Sequence, residues 1–155
     1  MRGSKVKSIY HVAAESGFLN TWVAAIEVIG LVELLEADDY LTVFAPSDEA
    51  FLNMSRYQVD DLLASIENLV ANISNHIALG RILTRELSQL SSIRTLMKND
   101  LLIESDRDLF VSGARIVIPN MQCRNGVIHV VDNVLMIRKR RQVKVEGAGR
   151  LACVR

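Results

Sequence analysis

The sequence predicts an α+β fold: a mainly antiparallel sheet covered by helices on one side or end. Three observations carry that class. Apolar residues recur at helical spacing through the first half of the chain, and they alternate at strand spacing through the second. One strand-like run, Tyr40 to Pro46, stands alone among the helical stretches. Helices segregated from strands in this way are what an α+β chain shows.

Taken in order, Val6, Ile9, Tyr10, Ala13 and Ala14 share one face of a first helix, and Gly17 ends it. Asn20 or Thr21 caps the next stretch, along which Trp22, Ala25, Ile26, Ile29, Val32 and Leu35 recur in steps of three and four. Gly30 divides it into a long helix and a short one. The strand that begins at Tyr40 is stopped by Pro46, because proline cannot donate to a ladder and holds the residue before it extended. Ser47 or Asp48 then caps a short helix carrying Ala50, Phe51 and Leu52. The strongest helical signal starts near Val59, with Asp60 as its cap and Gly80 at its close. On it Leu62, Leu63, Ile66, Leu69, Val70 and Ile73 form one wide apolar stripe.

After Ser91 the period changes. Ile93 to Leu96, Leu101 to Glu104, Leu109 to Val111 and Ala114 to Ile118 read as short strands joined by polar turns, the last of them broken by Pro119-Asn120. Asn125-Gly126 is a strong turn signal ahead of two final β segments. Phe44, Ala45, Val130 and Val131 are expected in the inner sheet layer.

A chain of 155 residues, 50% hydrophobic and 23% charged, is most simply one globular domain. With aromatics at 5%, its core is built mainly from Leu, Ile, Val and Ala. The zero net charge hides an asymmetry. Residues 138–155 hold seven of the 18 bases and one of the 18 acids, so +6 sits there and −6 on residues 1–137. This basic tail carries Gly147 and Gly149 without an apolar period and reads as flexible. It has no interleaved aromatic to stack a base, which argues against specific nucleic-acid binding. No apolar run reaches the ~18 residues of a membrane span, and Met1-Arg2-Gly3-Ser4 is not followed by the apolar run of a signal peptide. Cys123 and Cys153 show no metal or redox spacing, and they can pair only if the tail is held against the body.

The candidate chemistry is thin. His11, His76 and His129 lie far apart and none has a ligand spacing; His11 and Glu15 are a helix-surface pair. Ser47 beside Asp48 suggests a nucleophile, but adjacent residues cannot relay a proton without a third group, and no Gly-x-Ser-x-Gly elbow is present. The pair reads as a helix cap. His129, among Val127, Ile128, Val130 and Val131, needs a hydrogen-bond partner if buried, with Ser47 or Asp48 as candidates. Asn53-Met54-Ser55 and Asn72-Ile73-Ser74 match the glycosylation pattern. No catalytic, cofactor-binding or metal-binding residue is assigned, and the chain is not read as an enzyme.

Two stretches nevertheless resemble a known family. Leu41 to Phe51, LTVFAPSDEAF, is similar to the first signature box of the fasciclin domain, through Thr42, Val43, Phe44, Ala45, Pro46, Ser47, Asp48 and Phe51. Asn125 to Met136, NGVIHVVDNVLM, is similar to the second, through Gly126, His129 and Asp132. The lead-in AAIEVIGLVELLEADDYLTVFAP and NHIALGRI midway fit as well, so the resemblance covers residues 5–137 as one domain, with 138–155 outside it. It implies a helical layer packed on a wedge or sandwich of strands. It also implies a non-enzymatic adhesion or extracellular interaction module, secreted or held at the cell surface, with a protein or matrix partner and no cofactor. Some animal members engage integrins through a Tyr-His segment; the matching position here is Asn75-His76, without the tyrosine. The expected contact patch is therefore helical and exposed: Asn75, His76, Ile77 and Arg81. A few members bind carotenoids, so the alternative is an apolar-ligand carrier using the apolar stripe and a groove beside the sheet.

Overall fold

The computed structural model describes residues 6–137. Helices α1 (Ile9–Ser16), α2 (Asn20–Ile29) and α3 (Val32–Glu36) precede strand β1 (Leu41–Pro46). Helices α4 (Asp48–Leu52), α5 (Arg56–Leu62) and α6 (Ile66–Ser74) follow, then β2 (Ile77–Leu79) and α7 (Thr84–Leu87). The second half is β3 (Ser92–Arg94), β4 (Asp100–Ser105), β5 (Leu109–Val111), β6 (Ala114–Cys123) and β7 (Gly126–Val131). The chain is thus α+β. The tail beyond Ile137, with Cys153, lies outside the described residues.

Local chemistry sets the helix ends. Ser8 caps α1 by accepting from the His11 amide, and Gly17 closes it at φ 86°, a left-handed conformation that costs glycine little. Gly30 does the same for α2 at φ 79°, which is why the apolar period divides there. Ser47 caps α4 by accepting from the Ala50 amide at 3.1 Å.

Two helix expectations are corrected. The stripe from Leu62 to Ile73 belongs to two helices, not one. Ser55 caps α5 in a reciprocal box with Gln58, and Ser65 starts α6 afresh by accepting from the Asn68 amide. Asp60 is therefore inside α5, and Gly80 follows β2 rather than a helix. The break leaves Leu63 and Ile66 62% and 54% exposed, although they continue the stripe in sequence.

The seven strands run in the order β2-β1-β7-β6-β5-β4-β3. β1 lies parallel to β7 from Leu41↔Gly126 to Pro46↔Val131, and every other neighbouring pair is antiparallel. The sheet's two ends also meet: Ala78 bridges Thr95, and the Leu96 amide donates to the Ile77 carbonyl at 2.8 Å. The sheet is therefore rolled nearly into a barrel, which covers the outer edges of β2 and β3 where they meet.

β1 and β7 are buried along their whole length because both of their faces are covered. Val43, Ala45, Ile128 and Val130 pack under the helices against Ile9, Trp22, Ile26 and Ile73. Phe44 and Val131 point the other way, into the rolled sheet, against Leu87, Leu101, Val111 and Leu135. The four residues expected in the inner layer are all fully buried, divided between two cores on opposite faces.

Two strand expectations also change. β6 is not broken at Pro119-Asn120; it bulges there, with register shifts on both sides of Ile118, and continues to Cys123. A bulge tolerates the missing proline donor, and Asn120 takes φ 56°. After β7 no second strand forms: Val134 to Ile137 is irregular and runs past α6.

Candidate functional site

The residues of the two sequence boxes turn out to be joints. Thr42, fully buried, donates its hydroxyl to the Gly80 carbonyl at 2.7 Å and accepts from the Ile82 amide at 2.8 Å. Asp48 does not cap its own helix. It reaches to the start of α2, where its carboxylate accepts from the Thr21 amide at 2.7 Å and the Asn20 side-chain amide at 3.2 Å. Leu19 stands at that helix's cap position without a side-chain acceptor, so Asp48 supplies from across the fold what Asn20 or Thr21 was expected to supply locally. Asp132 accepts from the Arg115 amide at 2.9 Å. Gly126 is required by close approach: a Cβ there would stand 1.9 Å from the Leu41 carbonyl oxygen.

His129 is fully buried, but its partners are not Ser47 or Asp48. Nδ1 accepts from the Asn120 amide at 3.1 Å, which leaves Nε2 protonated to donate to the Ile82 carbonyl at 2.8 Å. The ring stacks on Phe44, centroids 5.7 Å apart. Burial pushes its pKa down, so the imidazole is neutral and structural.

The expected contact patch is corrected most. Asn75, His76 and Ile77 are 2%, 0% and 0% exposed, because α6 ends just before them and the chain turns into β2 in the interior. His76 Nε2 accepts from the Leu135 amide at 2.8 Å, and Nδ1 donates to the Asn72 carbonyl at 2.8 Å. Its ring lies against Trp22, centroids 5.3 Å apart, and desolvation lowers its pKa to about 4. Asn75 donates to the Leu135 carbonyl and accepts from Thr95 and Asn99, while Asn72 accepts from the Ile137 amide at 2.7 Å. The segment is a clasp for the end of the domain. Arg81 alone of the four stays partly exposed, bonded to the Gln122 side chain. The sequon at Asn72 is closed by the same burial, whereas Asn53 is exposed.

Sequence reading missed Asn125, which is buried and fully used. It accepts from the Ile9 amide at 2.9 Å and donates to the Leu35 and Ala37 carbonyls, fastening α1 and α3 to the β6–β7 turn. Asn-Gly reads as a turn, and nothing local reveals partners about 90 or more residues away.

Catalytic geometry is weak. Ser8, His11 and Glu36 come together, the Ser8 hydroxyl 2.9 Å and the Glu36 carboxylate 3.6 Å from the imidazole. Both contacts fall on the same nitrogen, Nδ1, so no proton can be relayed across the ring as in a Ser-His-acid triad. The Cys123 thiol is buried, with its pKa raised to about 11 by desolvation. Among the described residues no group of three or more His, Cys, Asp or Glu is placed to hold a metal.

What the helical layer does present is an apolar groove of about 420 Å³. It is lined by Ala24, Ala25 and Val28 of α2, by Phe51 and Met54, and by Val59 and Leu62 of α5, Leu63 just after it, and Leu69 and Ile73 of α6. Of these, Val28 and Leu63 keep 68% and 62% of their surface in water, and Ile66 on α6 and Leu52 on α4 keep 54% and 82%. Single exposed aliphatics are ordinary; a group of them around an apolar groove marks a contact surface. No helix among the described residues is long and apolar enough to cross a membrane.

Comparison with known proteins agrees with this architecture. The family model for the fasciclin domain matches residues 17–137. An uncharacterized protein of Synechocystis sp., sll1735, is 28% identical over 130 residues, which cover 84% of this chain and 98% of that one. A Plasmodium falciparum protein named heme ligase is 27% identical over 128 residues, covering 68% of this chain and 62% of its own. Among solved structures, the fasciclin domain pair of the insect cell adhesion molecule fasciclin I superposes with a TM-score of 0.69 at 14% identity. That match covers 84% of this chain, which spans about half (51%) of the insect chain. With the fold and both boxes accounted for, the chain belongs to the fasciclin domain family.

Proposed function

We propose that this chain is a non-enzymatic interaction module of the fasciclin type, working outside the cell or at its surface by contact with a protein or matrix partner. The observation that carries the reading is the apolar groove between α2 and α4–α6, with Val28 and Leu63 of its lining exposed. Apolar surface gathered in one place is costly to leave in water unless something covers it. The boxes themselves serve the fold, so contact falls to the helical layer. The adhesion role named for the insect protein supports the class, and the catalytic geometry described above offers no competing centre. One domain with one small patch binds weakly, and several copies raise avidity.

The test is saturable binding of the purified chain to extracellular-surface extracts, compared with Leu63→Gln at equal thermal stability. Binding by wild type and its loss in the variant support the reading; equal binding by both removes the groove as the interface. The groove's almost wholly apolar lining also favours a second reading, a carrier of an apolar ligand such as a carotenoid. Solvent extraction of the natively purified protein decides between them: a stoichiometric pigment supports the carrier, and a colourless extract supports the contact module.

A further inference from the structure

Resting on the reading of the helical groove as the contact surface, we infer that its partner is a basic amphipathic helix, whose aliphatic face enters the groove while Lys and Arg flank it. Three features select this occupant. First, the mode of contact is restricted. The two ends of the sheet close on each other through Ala78 and Thr95, which covers the outer edges of β2 and β3 where they meet. The trough between helices has the geometry that takes a partner helix through anchors spaced three and four residues apart.

Second, the groove is open on the side of Val28 and Leu63, which line it and are 68% and 62% exposed, so a small molecule seated there would keep part of its own surface in water. A helix brings its own backbone as the lid.

Third, the charge is one-sided. The helices that form the groove, α2 and α4–α6, carry six acidic residues, Glu27, Asp48, Glu49, Asp60, Asp61 and Glu67, and a single base, Arg56. Glu49, Asp60 and Glu67, on the helices that form the groove, are exposed and in no ion pair with a described residue. An apolar trough set in an acidic field selects a partner that is apolar in the middle and basic at the rim. The same field opposes a second copy seated face to face, because each would present its acids to the other.

The test uses the full chain and two synthetic helical peptides with leucines at matched positions, one with Lys and one with Glu on the polar face. Affinity is read by calorimetry and the site by NMR shifts of the Val28, Leu63 and Leu69 methyl groups. The Lys peptide should bind at least about tenfold more tightly than the Glu peptide at low salt, and the gap should shrink at 1 M salt, where screening cuts the field to about 3 Å. Asp60→Asn with Glu67→Gln should narrow it as well. Equal affinities, or shifts away from the groove, overturn the inference. Binding seen only after Arg140 and Arg141 are changed to Gln makes the chain's own basic segment the occupant and overturns a partner in trans. Dimerisation that the Lys peptide does not displace assigns the groove to a second copy. If neither peptide binds while surface binding still depends on Leu63, the basic helix is overturned and the contact reading stands.

Discussion

Replacing His76 by alanine tests whether the Asn75-His76 segment is a clasp or an epitope. The ring is fully buried, and its two nitrogens satisfy the Leu135 amide and the Asn72 carbonyl. Alanine leaves both backbone groups without a partner, at about 1–3 kcal/mol each. Lost packing against Trp22 adds about 1–2 kcal/mol. The expected loss is about 5 kcal/mol, comparable with the whole stability of a small domain. Urea denaturation at pH 7 measures it, and a loss below ~1 kcal/mol would refute the clasp. The titration gives an independent arm. With its folded pKa lowered to about 4 from the ordinary 6.5, His76 binds fewer protons in the folded than in the unfolded state between those values. Its contribution is therefore complete above pH 6.5 and is lost as pH falls toward 4, by about 3 kcal/mol in all. His76→Gln should flatten the stability–pH curve by that share, while His129, shifted in the same direction, keeps the rest. Identical slopes in wild type and His76→Gln would contradict a buried neutral imidazole.

Three further substitutions probe the joints. Phe44→Ala, in the core inside the rolled sheet, should cost about 3–5 kcal/mol by chemical denaturation; a cost under ~1 kcal/mol would mean that Phe44 is not core. Gly126→Ala places a methyl 1.9 Å from the Leu41 carbonyl oxygen, across the parallel β1–β7 pair. Loss of the cooperative thermal transition is expected, and a Tm within a few degrees of wild type would mean that the strands can separate freely there. Asp48→Ala removes the remote cap of α2 at a cost of about 1 kcal/mol, whereas Ser47→Ala should disturb α4 instead; hydrogen exchange at the Thr21 and Ala50 amides tells the two apart.

The class, the strand stopped at Pro46 and the helix stops at Gly17 and Gly30 were legible because they rest on local rules, whereas β2 was hidden in a stretch that read as helix. Apolar period reports which face is covered, Pro46 must stop a ladder, and Gly17 and Gly30 take conformations that other residues avoid. The reading failed where a local signal was ambiguous or a partner was distant. A stripe from Leu62 to Ile73 looks the same whether one helix or two carry it, and only the Ser55 and Ser65 caps decide. Asp48 beside Ser47 reads as a cap for its own helix, and its true target lies 27 residues back. His76 looked like a surface residue because it was placed on a helix that in fact ends at Ser74. The groove was foreshadowed by the apolar stripe, but its position between α2 and α4–α6 follows from packing that sequence spacing does not encode.

The central claim is that contact is made by the helical groove and not by the sheet. Transfer of magnetisation from a bound surface partner to the methyl groups of the labelled chain measures this directly. The account predicts the strongest transfer at Val28, Leu63 and Leu69, which line the groove. Strongest transfer at Leu102 and Val117, exposed on strands β4 and β6, would contradict it.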